Sequence, residues 1–135
     1  MRLRNSSVMK KILIAFLLTV SCFYFGQTNI QMDRFSFRKT NSNWGAWQTT
    51  KASVKLDTEF LMVIINYGKN QETYTIMSSE PTRHTGNTLL QAWHCIDSHG
   101  NKCLVILGIG KDKKRTTMLN IMYDEDEYRL AGYLQ

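Results

Sequence analysis

From residue 33 onward, apolar and polar positions alternate with the period of two that marks a half-buried strand. Residues 33–38 set Phe35 and Phe37 against charged neighbours, and 52–57 set Val54 and Leu56 against Lys55. The segment 60–67 is a continuous apolar run, β-branched in its middle, closed by Gly68-Lys69-Asn70. Eight residues between turn signals fit a strand and are too few for a helix of ordinary length. Residues 72–78 alternate again, so 60–67 and 72–78 form a predicted hairpin. A breaker-rich loop, 79–88, holds the only proline, Pro81. Beyond it, 89–97 and 102–109 predict a second hairpin, 118–123 a further strand, and 128–134 a last strand or a short helix, since Leu130 and Leu134 sit one helical turn apart. About eight short strands joined by tight turns predict an all-β antiparallel meander, which must hide its edges by closing into a small barrel or a barrel-like sandwich.

The first residues follow another pattern. Arg2, Arg4, Lys10 and Lys11 precede an apolar run, 12–25, and Gly26-Gln27-Thr28 returns to small or polar residues. That order predicts a cleaved secretory signal over 1–26 and a single β domain over 27–135. The apolar run is shorter than the ~20 residues of a membrane span, so no span is expected after processing. Cys22 raises a lipid anchor, and with it an outer-membrane lipoprotein, as the alternative; Thr19 stands where a lipoprotein signal places an aliphatic residue.

The leader changes the meaning of the charge. The whole chain carries +6, yet without Arg2, Arg4, Lys10 and Lys11 the 17 basic residues fall to 13 against 11 acidic ones, a net of +2. Bulk charge therefore gives no support to nucleic-acid binding. Export also changes the meaning of the cysteines: Cys95 and Cys103 remain in an oxidising compartment and predict one disulfide. Gly100 can close a three-residue loop, Ser98-His99-Gly100, which places Asp97 opposite Asn101 and Cys95 opposite Cys103.

Candidate chemistry is sparse. Cys95, His99 and Cys103, with His94 nearby, are soft metal ligands, but their spacing lacks the close pairs of structural zinc sites, and no metal is expected. No nucleophile elbow, calcium loop or phosphate loop is present, so neither catalysis nor a cofactor is expected. A hydrolase acting through His84 or His94 is the enzymatic alternative. Trp44 and Trp47 flank Gly45 and are read first as core residues, second as a sugar-stacking platform. Lys111, Lys113, Lys114 and Arg115 lie roughly 25 Å along a strand from the acidic turn 124–127, giving the domain two charged poles. Trp44, Trp47, His84 and this basic group together form the candidate binding surface.

Trp44-x2-Trp47, the strand 60–67, Tyr74-Thr75-Ile76, Asp97-x2-Gly100-x2-Cys103 and Ile121-x-Tyr123 follow one another in an order that resembles small exported β proteins of Gram-negative bacteria. The resemblance spans about residues 35–130 and implies a compact β fold without implying an activity. The expectation is thus an exported, non-enzymatic domain, periplasmic or extracellular, that binds a protein or a surface polysaccharide. The alternative is a lipocalin-like carrier of a small apolar ligand, with Met62, Met77, Met118 and Met122 lining its site or, more simply, filling the core.

Overall fold

The structure, a computed structural model, describes residues 30–57, 59–111 and 116–133. The expected leader, Cys22, Lys113, Lys114 and Arg115 lie outside them. The described residues form nine strands, β1 (Ile30–Lys39), β2 (Gln48–Asp57), β3 (Met62–Tyr67), β4 (Asn70–Ser79), β5 (Arg83–Thr85), β6 (Thr88–Asp97), β7 (Lys102–Gly110), β8 (Thr116–Met122) and β9 (Asp126–Tyr133). Each pairs antiparallel with its sequence neighbours, except that β4 and β5 share β6; β9 returns to β1, and β4 meets β6. The result is an eight-stranded closed barrel with β5 as one extra strand. Closure removes the exposed edges that an open meander of this length would present.

Alternation decides which side chains enter the barrel. Val54, Ile65, Leu107, Leu119 and Leu130 are fully buried, and so is the indole of Trp93. In an eight-stranded barrel the interior is just wide enough for side chains to fill it, and here they do. Two bulges interrupt the ladders. One lies between Met32 and Arg34, where β1 pairs with both β2 and β9; the other lies between Ile76 and Ser78, turning Met77 out to solvent. Bulges bend a strand and increase its twist, which helps a small barrel to close. Beside the first bulge, β9 approaches β1 so closely that a Cβ on Gly132 would collide with the carbonyl oxygen of Gln31.

The segment 128–134, open between strand and helix in sequence, is strand through Tyr133. The loop 79–88 conceals a short strand, because β4 leaves β6 after Ser79 and β5 takes over the first half of β6. Gln91, buried in the interior, secures this hand-over: its Nε2 donates to the Glu80 carbonyl at 2.8 Å and its Oε1 accepts from the Thr82 hydroxyl at 2.6 Å. That interaction ties the segment 80–82 to the interior at the end of the barrel opposite the mouth, the sealed end. The other end, carrying the loops 40–47, 68–69, 98–101 and 123–125, is open.

Candidate functional site

At the open end the strands stop supplying aliphatic side chains and supply tyrosines. Tyr67 closes β3, Tyr74 lies in β4, Tyr123 follows β8 and Tyr128 lies in β9; with Phe35 of β1 they line a cleft of about 890 Å³. That volume is in the range of small-molecule sites. Tyr128 stacks with Phe35 at 6.2 Å between ring centroids and meets Tyr123 edge-on at the same distance, both within the usual span of aromatic pairs.

Carboxylates hold these rings. The Tyr74 hydroxyl donates to Glu72 Oε2 at 2.6 Å, and the Tyr123 hydroxyl donates to Asp97 Oδ2 at 2.8 Å. Asp97 Oδ1 meanwhile accepts the backbone N–H groups of His99 and Asn101, at 2.9 and 2.8 Å, and so caps the β6–β7 turn. Burial, and then Glu72, raise the pKa of Tyr74; burial and Asp97 do the same for Tyr123, and burial, then Glu72, for Tyr67. All three phenols are therefore neutral at physiological pH. Burial works against the Asp97 carboxylate, but the N–H of Asn101, the Tyr123 hydroxyl and the N–H of His99 outweigh it and hold its pKa below the ordinary value.

The β6–β7 hairpin has the expected register. Gly100 takes a positive φ of 84°, Asp97 bonds Asn101, and Cys95 stands opposite Cys103. The expected disulfide is not formed, however, and both cysteines are free, buried thiols beneath the mouth. Their sulfurs have separate partners: Cys95 Sγ faces the Trp93 carbonyl oxygen at 3.7 Å, and Cys103 bonds the Tyr123 hydroxyl. Burial, with the neighbouring Cys103 adding to it, pushes Cys95 up to about 12, and burial with the Asp97 carboxylate pushes Cys103 up to about 11 against the opposing effect of its bond to Tyr123.

The candidate surface drawn from the sequence separates into two places. Trp44 and Trp47 lie on the outer wall over β1 and β9 and not in the core; Trp44 is half-buried and Trp47 exposed. The Ser36 hydroxyl donates to the Gly45 carbonyl at 2.7 Å and pins their loop to the barrel. Arginines occupy the indoles: Arg38 and Arg129 lie 4.4 and 4.0 Å from the Trp44 centroid, and Arg129 and Arg34 lie 4.1 and 5.4 Å from that of Trp47. Arg38 also pairs at 2.6 Å with Glu127, whose side chain is only 6% exposed. Guanidinium groups thus lie over both rings.

His84 and Lys111 meet at the sealed end, with 2.9 Å between Nδ1 and Nζ, far from the tryptophans. Asp124 and Glu125 are at the mouth, so the described part of the basic group and the acidic turn lie at opposite ends of β8. His94 lies on the outer face, 3.2 Å from Glu80, while Cys95 points inward. Among the described residues no three His, Cys, Asp or Glu side chains gather as a metal site would require. None of Met62, Met77, Met118 and Met122 is buried; the strand pattern turns them to the outside, so they neither fill the core nor line the mouth.

The mouth tyrosines are absent from the sequence-derived candidates. Their signal is distributed: Glu72-x-Tyr74, Tyr123-Asp124 and Glu127-Tyr128 each set a tyrosine beside an acid near a strand end, and only barrel closure brings them together. No family model, curated protein or solved structure matches the chain.

Proposed function

We propose that this chain is an exported, non-enzymatic binding domain whose ligand is a small molecule held in the tyrosine-lined mouth. The observation that carries this reading is the contrast within one barrel: an interior filled with side chains, and an open cleft of about 890 Å³ at one end. It favours a ligand seated at the rim over an apolar molecule threaded along the axis. It also favours the mouth over the Trp44–Trp47 wall as the recognition site, since arginines already occupy those rings. The non-enzymatic part rests on the scatter of the histidines, which sit on the outer face, at the sealed end and on a turn, none in contact with a hydroxyl or thiol nucleophile in the bonds described.

Export belongs to the same proposal, and oxidation of the facing Cys95 and Cys103 would then join β6 to β7 just below the cleft. Intact mass of protein recovered from the periplasm tests both: loss of the leader and of two hydrogens is expected, and an unprocessed chain with two free thiols would refute them.

For the site itself, native mass spectrometry of protein from its own host should reveal a copurifying small molecule. A Tyr74→Ala/Tyr128→Ala double variant should lose it. A ligand retained by that folded variant would refute the mouth as its site.

A further inference from the structure

The mouth has a chemical bias beyond its size. A tyrosine hydroxyl carries one proton, and Tyr74 and Tyr123 both spend theirs on carboxylates. What these residues still offer a ligand is electron-rich: hydroxyl lone pairs and ring faces with a negative quadrupole. Glu72, Asp97, Asp124, Glu125 and Asp126 add negative charge around the lining, against which Lys102 is the single lysine or arginine. The cleft also carries neutral hydroxyl and amide groups that both donate and accept, so its bias lies in the excess of carboxylates over cationic side chains. An anion would meet carboxylates, and a neutral apolar molecule would leave them unused. A positive group between aromatic rings and carboxylates satisfies both, the arrangement by which proteins bind alkylammonium ions.

We infer that the ligand of the mouth is a small organic cation, an alkylammonium group carried on an apolar body, whose charge is met by the Glu72 and Asp97 carboxylates and whose body lies against Phe35, Tyr67, Tyr74 and Tyr128. The inference rests on the mouth being the binding site. The size agrees with it, since about 890 Å³ exceeds what a bare ammonium or metal ion would fill and leaves room for an apolar portion.

Two-dimensional amide NMR of the whole domain, titrated separately with benzyltrimethylammonium, benzyl alcohol and benzoate, tests the ligand class. The cation is expected to shift resonances of the loops 68–69, 98–101 and 123–125, with an affinity that falls as salt is added. Replacing Glu72→Gln together with Asp126→Asn, both away from the turn cap, should weaken the cation about tenfold, or ~1.4 kcal/mol. Asp97→Asn should weaken it further if the variant folds. If benzyl alcohol or benzoate shifts the mouth and the cation does not, the cationic class is wrong and the binding cleft stands. If no probe shifts the mouth, both are wrong. A lysine tripeptide binding more tightly than benzyltrimethylammonium would overturn the small molecule as occupant.

Discussion

The outer wall around Trp44 and Trp47 and the mouth around Tyr74 and Tyr123 are built from the same materials, aromatic rings among ions, and differ in the sign and source of the charge beside the ring. On the wall the chain supplies the cations itself: Arg34, Arg38 and Arg129 lie over the two indoles, and Glu127 holds Arg38 from below. In the mouth it supplies carboxylates, which accept hydrogen bonds from the Tyr74 and Tyr123 hydroxyls. One arrangement is complete and serves to fasten a loop. The other is the place where the proposed cationic ligand would supply the missing charge.

Arg38→Ala should have the largest effect, about 3 kcal/mol lost in urea unfolding, because it leaves the Glu127 carboxylate buried without its ion-pair partner. Adding Glu127→Gln should recover most of the loss. If it does not, the wall is held by ring contacts and not by charge. Asp97→Ala comes next, at about 2 kcal/mol, since its carboxylate accepts from Tyr123, His99 and Asn101 together.

The pH dependence of that residue has a definite sign. The folded-state pKa of Asp97 lies below its unfolded value, so its stabilisation is complete above the ordinary carboxylate range near ~3.9 and fades as pH falls through the folded pKa. Melting temperatures of wild type and Asp97→Asn should therefore converge in acid. Curves that stay parallel there would mean that the cap carries no weight.

Arg129→Ala should cost about 1–2 kcal/mol through its two cation–π contacts and move tryptophan emission to longer wavelength as the loop 40–47 loosens. Lys102→Ala, on the rim of the mouth, should change stability by less than ~0.5 kcal/mol. It should nonetheless tighten benzyltrimethylammonium, because the one lysine competing with a cationic ligand is gone. A wall variant that altered cation binding as strongly would dissolve the distinction between the two regions.

The difference between wall and mouth was also a difference in what the sequence disclosed. Strands whose two faces differ sharply, such as β6 and β7, are legible to within one residue at their ends, including the Gly100 turn and the facing of Cys95 and Cys103. β2 begins at Gln48, earlier than its alternation suggested, because Gln48-Thr49-Thr50 is polar on both faces and gains strand form only by pairing with β1. β5 was hidden among breakers for a related reason: its place is fixed by the vacancy β4 leaves on β6. At Cys95 and Cys103 the spacing specifies the facing of the two backbone positions and leaves the direction of each sulfur open. The tryptophans misled because large aromatics are usually interior, and nothing local to the segment 44–47 announces arginines on β1 and β9. The tyrosines escaped because a ring of residues drawn from strands far apart in sequence becomes a site only when the barrel closes.

The pairing of β9 with β1 has an architectural consequence. Gln31 lies directly across from Tyr133, so the two ends of the described barrel are already neighbours, and every other adjacent pair of barrel strands is bridged by a short connection. Topologically the wall is a ring that happens to be cut between its last strand and its first. A circularly permuted gene that splices those ends together and opens the chain at Gly68-Lys69 should still fold to the same barrel, with its new termini beside the cleft.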